Sequence, residues 1–473
     1  MGERDAAIPT IAGARVLVAG AGISGRAAAV ALLDAGAHVT VTDADPAALA
    51  ELPDGAIACA DPDTVAPGTA FVVTSPGRRP DHPLVAAARA AEVPMVGEPE
   101  LAWWLGAARA VPPSWLVVTG TNGKTTTVGM LASILRAAGH DGVACGNIGL
   151  PVVTAVAAAH PVLAVELSSF QLHWSPSVVP AAGCVLNVAE DHLDWHGGLL
   201  AYAAAKARAL VGPVAVAGID DAGAAALLAA APAGRRVGVT LGPPAPGQLG
   251  IHGGELVDRA FGGQAVALAD TASVVPGGPP GLTDALAAAA LARAHGVAPA
   301  DVAAGLAAFR PGGHRGAVVA VLGSGPAGIP FVDDSKATNP HAARASLLAH
   351  ATRPVVWIVG GLLKGASVDG LVAEVAAALR GAVVIGTDRS AVLAALARHA
   401  PDVPVREVTA GDDGDMPGVM TAAVRAAASL AEPGDTVLLA PAAASMDQFR
   451  DYAERGDAFT AAAVAASTAG IRA

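Results

Sequence analysis

The stretch GTNGKTTT (Gly120–Thr127) follows the apolar run WLVVT (Trp115–Thr119) and precedes a helix-like segment. A glycine-rich loop between a strand and a helix directs backbone N–H groups and the helix N-terminus toward anionic oxygens. Lys124 would neutralise the β- and γ-phosphates of a nucleotide, and Thr125 offers a hydroxyl to Mg²⁺. The full G-x-x-x-x-G-K-[ST] pattern is incomplete, because Val118 stands where its first glycine is expected. The sequence therefore predicts ATP or GTP binding in an α/β domain. The expected phosphate contacts are Gly120, Thr121, Asn122, Gly123, Lys124, Thr125 and Thr126.

Strand-like and helix-like segments alternate along the chain, as in parallel α/β folds. The first group opens with ARVLVAG, GAGISG and HVTVTD and ends at Pro112–Pro113, which suit a linker. The second group contains the phosphate loop, the strand-like VLAVEL and GCVLNV, and an expected loop at Val275–Gly281. The third begins near PGGHR and contains PVVWIVGG, GAVVIG and DTVLLAP. We predict three α/β domains: a Rossmann-like parallel sheet in residues 1–111, a P-loop ATPase-like domain in 112–311 and a second Rossmann-like domain in 312–473.

Composition excludes some partners. The chain has 473 residues, a net charge of −12 and only 15% charged residues, with no run of Lys or Arg. Nucleic-acid binding needs clustered cations, so we expect no nucleic-acid partner. The three cysteines, Cys59, Cys145 and Cys184, lie far apart and indicate small core residues in a reducing compartment.

Two segments bear on whether the protein is secreted or inserted in a membrane. The N-terminal MGERDAAIPT begins with charges and lacks the apolar stretch of a signal peptide. Gly142–Val165 has no charged side chain, but Asn147 and three further interruptions break the run of about 20 apolar residues that a membrane span needs. We interpret this segment as a loop, a helix and a buried strand. A cytoplasmic protein without a membrane partner is expected.

The glycine motif Gly20–Gly25 (GAGISG) lies between a strand and a helix, and Asp43 ends the next strand. This arrangement is typical of dinucleotide-binding folds, in which the acid contacts a ribose hydroxyl. The motif alone leaves open which nucleotide is bound, and the glycines could serve only a tight turn.

Glu166 ends the buried run VLAVEL. A carboxylate at the C-terminal end of a parallel strand faces the crevice where ligands bind, so Glu166 is a candidate Mg²⁺ ligand. The alternative is a solvated strand end. The polar residues that follow favour the ligand interpretation; they are Ser168, Ser169, Gln171 and His173.

Only four of the 29 basic residues are lysines. Because arginine serves elsewhere, each lysine is a candidate for a task that needs a compact charge or a reactive amine. Lys124 lies in the phosphate loop, and Lys336 and Lys364 follow strands in polar or glycine-rich loops. Lys206 lies in the helix-like AYAAAKARAL and could be an exposed helix residue. An ammonium cannot ligate Mg²⁺, but an amine that has added CO₂ becomes a carbamate with oxygen ligands.

Taken together, the motifs resemble those of the Mur ligases, from GAGISG to RGDAF at Arg455–Phe459. GTNGKTTT is also found in folylpolyglutamate synthases, whereas ELSSFQL, DSKATN and ASMDQF are narrower signals. The matching stretches are GTNGKTTT, GNIG (Gly146–Gly149), ELSSFQL (Glu166–Leu172), NVAEDHLDWH (Asn187–His196), YAAAK (Tyr202–Lys206), HR (His314–Arg315), DDSKATN (Asp333–Asn339) and APAAASMDQF (Ala440–Phe449).

The resemblance implies a role for each domain and for individual residues. The first domain would hold a uridine nucleotide rather than NAD, the second would bind ATP, and the third would bind an amino acid. The residues implied for the UDP-muramoyl substrate are Ser24, Asp43, Gly77, Asn147, Ser168 and Gln171. Those implied for two Mg²⁺ ions are Thr125, Glu166, His192 and a carbamylated Lys206. Those implied for catalysis are Lys124, His192 and Lys206. Arg315 and Asp334 are implied for ATP. Lys336, Thr338, Lys364 and Ser445 are implied for D-glutamate.

The sequence departs from the family pattern at three places. Gly281 and Asp284 replace asparagines, one of which contacts adenine in the family, Ala443 replaces a common Cys, and Tyr452 stands where Phe is frequent. Because Ala443 has no thiol, its presence indicates that the cysteine common at this position in the family is not catalytic.

The implied reaction is ATP-dependent ligation of D-glutamate to UDP-N-acetylmuramoyl-L-alanine (UDP-MurNAc-L-Ala) in peptidoglycan precursor synthesis, by a monomer acting on small molecules. Three alternatives remain. One is a sister ligase with another amino-acid acceptor. The second is a dinucleotide-dependent oxidoreductase, suggested by GAGISG. The third is a non-catalytic nucleotide-binding homologue, suggested by the departures from the pattern.

Overall fold

The computed structural model describes residues 8–59, 63–408 and 416–468. Contacts divide the chain into two compact units, which we call unit 1 (Met1–Val188 and Trp195–Phe309) and unit 2 (Ala189–Asp194 and Arg310–Ala473). Most of the N-terminal segment used to argue against a signal peptide, residues 1–7, lies outside the described residues.

The first sheet of unit 1 is parallel throughout, as predicted. Among the described residues its order is β3-β2-β1-β4-β5. Its strands are β1 (Arg15–Ala19), β2 (His38–Thr42), β3 (Ile57–Cys59), β4 (Thr69–Thr74) and β5 (Met95–Gly97). Its helices are α1 (Ile23–Asp34), α2 (Pro46–Ala50), α3 (Pro83–Ala90) and α4 (Glu98–Ala107).

The second sheet of unit 1 has the order β14-β13-β12-β11-β10-β9-β6-β8-β7 in the part of the chain that is described. Its strands are β6 (Ser114–Thr119), β7 (Gly142–Gly146), β8 (Val162–Glu166), β9 (Ala182–Val185), β10 (Val214–Gly218), β11 (Arg235–Val239), β12 (Gln248–His252), β13 (Glu255–Asp258) and β14 (Val266–Asp270). The helices in this part of the sequence are α5 (Lys124–Ala137), α6 (Val152–Ala157), α7 (Ser169–His173), α8 (Leu193–His196), α9 (Leu199–Ala207), α10 (Ala222–Ala230), α11 (Gly278–Ala294) and α12 (Pro299–Ala308); the first two residues of α8 belong to unit 2.

The central strands of this sheet position the phosphate loop. β6 lies between β8 and β9, and all three run parallel. Their C-terminal ends therefore share one edge of the sheet, where ligands bind in open α/β folds. Val118 on β6 is paired with Glu166 on β8. α5 packs against α11 and α12, and the buried alanines of α11 allow this close approach.

The sheet of unit 2 has the order β15-β16-β20-β17-β18-β19 over the described residues. Its strands are β15 (Ala317–Leu322), β16 (Ile329–Asp333), β17 (Val355–Gly360), β18 (Leu379–Ile385), β19 (Val405–Glu407) and β20 (Thr436–Leu439). The helices are α13 (Pro340–His350), α14 (Asp369–Val375), α15 (Ser390–His399), α16 (Met416–Leu430) and α17 (Tyr452–Thr468). β16, β20 and β17 are adjacent and parallel, so the loops that follow them leave from the same edge.

The structure confirms the α/β fold class and corrects three details. Gly142–Gly146 is strand β7 rather than a loop. α11 begins at Gly278, inside the expected loop, because prolines are tolerated in the first helical turn. The antiparallel pairs β12–β13, β13–β14 and β15–β16 extend two of the sheets. In the described part of the chain, no helix is both long enough and apolar enough to cross a membrane.

Candidate active site

The loop between β6 and α5 depends on its glycines. Gly123 has φ +86°, in the left-handed region that strains other residues. A Cβ atom on Gly123 would clash with the carboxylate of Asp284 on α11, and one on Gly120 would press against Leu186. The glycines therefore permit both the turn and its close packing. They also place Asp284, a departure from the family pattern, directly beside the loop.

Lys124 is the first residue of α5, and its ammonium group lies against the loop backbone. Nζ donates hydrogen bonds to the carbonyl oxygens of Gly120 at 3.0 Å and Thr121 at 2.9 Å. These contacts hold the cation at the helix N-terminus, where the backbone N–H groups favour anions. The arrangement suits the binding of phosphate oxygens.

Asn187, which follows β9, fixes the same loop from the neighbouring strand. Its Oδ1 accepts from the N–H of Asn122 at 2.9 Å, and its Nδ2 donates to the carbonyl of Asn122 at 3.2 Å. The backbone carbonyl of Asn187 accepts from the N–H of Thr121 at 3.1 Å. Side chain and backbone together hold the loop in its curved form.

Lys206 is 1% exposed, so the interpretation as an exposed helix lysine is wrong. Its Nζ donates to the carbonyl of Gly120 at 2.8 Å and lies 4.4 Å from the centre of the Tyr202 ring. The Tyr202 hydroxyl is 3.0 Å from Oγ1 of Thr121. A buried ammonium is unfavourable unless it is paired, and of these two partners Gly120 belongs to the phosphate loop and Tyr202 contacts it.

Glu166 is 2% exposed, which excludes a solvated strand end. Oε1 accepts from Nδ2 of Asn147 at 3.0 Å. Oε2 is buried and has no hydrogen-bond partner. A buried, unsatisfied carboxylate oxygen is costly, and a cation would remove that cost. Glu166 therefore fits a role as a ligand for a hard cation.

A complete protein cage for a metal does not exist within residues 8–59, 63–408 and 416–468, where no group of three His, Cys, Asp or Glu side chains could hold an ion. Mg²⁺ usually keeps several waters and takes one or two carboxylates together with substrate phosphates. A single carboxylate such as Glu166 beside a phosphate loop fits that type of site.

The polar residues after Glu166 also have a structural function. Ser168 and Gln171 form a capping box at the start of α7: Ser168 Oγ accepts from the N–H of Gln171 at 3.1 Å, and Gln171 Oε1 accepts from the N–H of Ser168 at 3.0 Å. Oγ of Ser169 lies 2.9 Å from Nε2 of His196. Part of the polar composition of this segment is therefore explained by helix capping. In His173, the last of these polar residues, burial lowers the pKa of the imidazole.

In the first glycine motif, the carboxylate of Asp43 braces the loop. It accepts from the N–H of Ala21 at 2.7 Å and from that of Asp45 at 2.9 Å. Partial burial raises the pKa of Asp43, but backbone N–H donors and the charge of Arg78 outweigh it and leave the pKa below its ordinary value. Ser24 lies in the first turn of α1, and the carbonyl of Gly77 accepts from Trp195 Nε1 at 3.1 Å.

Unit 2 contains a cleft with an empty volume of about 610 Å³, counted with its open mouth. It brings together three of the predicted residues, His192, Thr338 and Lys364. His192 and Lys364 have positive φ values of 54° and 51°, which are uncommon for residues other than glycine. Ser445 follows Ala444, a lining residue whose backbone pairs with that of Leu362.

Arg315 and Asp334 both belong to unit 2, and Asp334 directly follows β16. Burial raises the pKa of Asp334, and the charge of Arg315 partly offsets the rise. The preceding His314 has φ +62°, and its Nδ1 lies 2.6 Å from Oδ2 of Asp333. Gly456 leaves room for the His314 ring, because a Cβ atom there would clash with it. This packing fixes the turn that carries Arg315.

Comparisons with known proteins identify the relatives of this chain. Residues 118–240 match the family described as Mur ligase middle domain, and residues 320–443 match Mur ligase, glutamate ligase domain. The chain is 54% identical over 491 residues to the UDP-N-acetylmuramoylalanine–D-glutamate ligase of Rhodococcus jostii (strain RHA1), with 97% of each covered. It is 56% identical over 465 residues to the ligase of that name from Nocardia farcinica (strain IFM 10152), covering 94% of this chain and 95% of the relative. The chain belongs to the Mur ligase family.

Solved structures share the Mur ligase fold at low sequence identity. The UDP-N-acetylmuramate-alanine ligase MurC of Thermotoga maritima superposes with a TM-score of 0.57 at 18% identity, covering 95% of this chain and 98% of that one. The MurF ligase of Thermotoga maritima in complex with ADP gives a TM-score of 0.54 at 16% identity, covering 96% and 94%. Residues 2–63 match the alanine dehydrogenase/PNT C-terminal domain, in agreement with the Rossmann-like character of the first sheet.

Sequence reasoning assigned no role to three residues of this Mur ligase that support its predicted site residues. Asn187 braces the phosphate loop, the ring of Tyr202 faces Lys206, and the ring of Tyr452 faces Lys336. One signal was available for the last two, because the chain has only two tyrosines. No pattern could reveal the role of Asn187, since β9 and β6 become neighbours only in the folded sheet.

Proposed function

We propose that this Mur ligase is an ATP-dependent ligase that adds D-glutamate to UDP-MurNAc-L-Ala through an acyl-phosphate intermediate. The observation that carries the proposal is the identity of 54–56%, over nearly the full length of both chains, to relatives named for that reaction. The accompanying expectations are a cytoplasmic location and a place in peptidoglycan precursor synthesis, and so in cell shape and division. We also propose that the protein is a monomer and that its three domains span residues 1–111, 112–311 and 312–473.

The chemistry requires activation of a carboxylate. An amine does not displace oxygen from a carboxylate at neutral pH, because the group is anionic and has no adequate leaving group. Transfer of the ATP γ-phosphoryl group to the L-alanyl carboxylate forms an acyl phosphate and ADP. The amine of D-glutamate then attacks the acyl carbon, and phosphate leaves as the amide bond forms.

The phosphate loop would stabilise the first step. Charge spreads over the transferring phosphoryl oxygens, and catalysis depends on positioning and electrostatic stabilisation. Lys124 supplies a cation at the N-terminus of α5, and the N–H groups of the first turn of that helix supply donors. Arg315 and Asp334 are proposed to contact ATP, and the electrostatic effect of Arg315 on the Asp334 carboxyl supports their acting on one ligand.

Two Mg²⁺ ions are proposed, with Glu166, Thr125, His192 and a carbamylated Lys206 as the residues that would hold them. The unsatisfied Oε2 of Glu166 supports this assignment. When bound, the ions would neutralise phosphate charge. Carbamylation would convert the buried amine of Lys206 into an oxygen donor. His192 is proposed to position substrate and metal.

The residues proposed for the UDP-muramoyl substrate are Ser24, Asp43, Gly77, Asn147, Ser168 and Gln171. Several of them already have defined orientations. Asp43 braces the first glycine loop, Ser168 and Gln171 cap α7, and Asn147 donates to Glu166. Fixed side chains of this kind favour binding because little freedom is lost when the substrate arrives.

For D-glutamate, we propose that Lys336 and Lys364 bind the two carboxylates as point charges, with Thr338 and Ser445 donating hydrogen bonds. The presence of Thr338 and Lys364 in one cleft supports this assignment. A compact ammonium on a flexible stem suits each carboxylate.

Acceptor specificity tests the proposal. Phosphate release should depend strictly on ATP, UDP-MurNAc-L-Ala and D-glutamate together. Turnover that is faster with another acceptor, such as meso-diaminopimelate, would instead indicate a sister ligase. ATP-dependent turnover with any acceptor would exclude a non-catalytic nucleotide-binding homologue.

A further inference from the structure

Tyr452, the first residue of α17, places its ring against a lysine of the proposed D-glutamate site. Nζ of Lys336 lies 3.7 Å from the centre of the Tyr452 ring. The chain has two tyrosines and four lysines, and each tyrosine ring faces a lysine ammonium. A ring face attracts a cation without carrying a net negative charge, so the contact with Tyr452 orients the ammonium without neutralising it.

The backbone beside Lys336 is bound to the first turn of the same helix. Ser335 is fully buried; its Oγ donates to the carbonyl of Tyr452 at 2.8 Å. Arg455, which is 1% exposed, donates from Nε to Ser335 Oγ at 2.9 Å and from Nη2 to the Ser335 carbonyl at 2.8 Å. Its Nη1 donates to the carbonyl of Ala443 at 3.1 Å. The loop is therefore fixed relative to the Tyr452 ring.

A second contact with α17 lies at the other side of Ser335. Asp333 ends β16 and accepts from the N–H of Ser335 at 3.0 Å and from Oγ1 of Thr460 at 3.3 Å. With the backbone anchored at both points, the position of the Lys336 ammonium depends on the contacts of its long side chain, one of which is the Tyr452 ring. A lysine side chain loses considerable rotamer entropy when it is held in one orientation. Because the ring already restricts the side chain, less entropy is lost when the substrate binds.

We propose that Tyr452 is a positioning residue whose ring holds the Lys336 ammonium in the orientation that receives a substrate carboxylate. The assignment of that carboxylate to D-glutamate rests on the proposed function. The ring, rather than the hydroxyl, performs this role. Tyr452→Phe therefore serves as the matched control for Tyr452→Leu, which removes the ring but keeps an apolar side chain.

Nuclear magnetic resonance of the full chain with labelled lysine tests the contact without any assay of activity. Only four lysine ε-CH₂ signals exist, and Lys336→Arg identifies the one from Lys336. The ring current should shift this signal upfield in wild type and in Tyr452→Phe. It should return toward the usual lysine position in Tyr452→Leu. A Lys336 signal that is the same in Tyr452→Leu and wild type would overturn the inference.

Steady-state kinetics tests whether the ring contact affects D-glutamate binding. Loss of one cation–π contact should raise KM for D-glutamate by about three- to tenfold in Tyr452→Leu, with KM for ATP and for UDP-MurNAc-L-Ala unchanged. Tyr452→Phe should resemble wild type. Equal rises in all three KM values, or an unchanged KM for D-glutamate, would overturn the positioning role.

Failure of the proposed function is distinguishable from failure of this inference. Wild-type protein that shows the shifted Lys336 signal but no D-glutamate-dependent phosphate release would overturn the function and leave the contact established. Wild-type protein that turns over D-glutamate, with a Tyr452→Leu variant that keeps the wild-type signal, would overturn the inference alone.

Discussion

At the scale of single residues, the sparing use of lysine and tyrosine marks the candidate site. Lys206 shows why: it is buried, it donates to the loop carbonyl of Gly120, and its charge lies over Tyr202. The lysine count predicted a special task for this side chain. Its burial and its partners could not be predicted, because they depend on α9 packing beside the phosphate loop.

Lys206→Ala should lose activity on the order of 10²-fold or more, the size typical of removing one preorganised electrostatic group. If a carbamate on Lys206 supplies oxygen ligands, a short carboxylate or excess bicarbonate should restore part of the activity in the space left by the side chain. Steady-state phosphate release with and without added carboxylate measures both effects.

Lys206→Met is the matched control, since it fills the space without an amine. It should be as inactive as Lys206→Ala and should not respond to added carboxylate. Full activity in Lys206→Ala would exclude any essential role for this residue.

At the scale of elements, α4 contributes two buried glutamates that join it to other parts of unit 1. Oε1 of Glu98 accepts from the N–H of Val153 at 2.6 Å, and Glu100 accepts from the N–H of Ser177 at 3.1 Å. Oε2 of Glu98 is buried without a partner. Burial raises the pKa of Glu98 to about 7, although the N–H groups at the start of α6 oppose the rise.

This raised pKa predicts a pH-dependent stability. Between about pH 4.5 and about 7 the folded state holds a proton on Glu98 that the unfolded state has lost. The contribution of Glu98 to the free energy of unfolding should therefore fall as pH rises through this window, by up to about 3 kcal/mol. Glu98→Gln, which resembles the protonated form, should flatten this part of the profile.

Chemical denaturation at several pH values between 5 and 8 measures the effect. Glu255→Gln, at an exposed position on β13, is the control and should keep the wild-type pH profile. A Glu98→Gln profile as steep as that of wild type would contradict the prediction.

At the scale of the whole molecule, the two glycine-rich loops of unit 1 should bind different ligands. A ligand that binds only the folded state stabilises it by about 2.7 kcal/mol at 100 times its Kd. UDP-MurNAc-L-Ala and ATP should therefore each raise Tm, whereas NADH at the same concentration should not. A rise with NADH alone would favour the oxidoreductase alternative.

Two variants act as reciprocal controls in the same thermal measurement. Asp43→Ala should weaken the shift caused by UDP-MurNAc-L-Ala and keep that caused by ATP. Lys124→Ala should do the reverse. Loss of both shifts in either variant would indicate general destabilisation rather than separate sites.

The sequence by itself determined the α/β class, the alternation of strands and helices along the chain, the phosphate loop and the loops that carry Lys336 and Lys364. These features follow from local patterns: apolar runs, glycines at tight turns and polar residues after strands. Only the tertiary structure decided which strand ends are neighbours, so that Asn187 and Glu166 flank the phosphate loop. The tertiary structure also buries Lys206 and places the ring of Tyr452 against the ammonium group of Lys336. Such contacts join residues distant in sequence, and they exist only once the sheets are ordered and the helices packed.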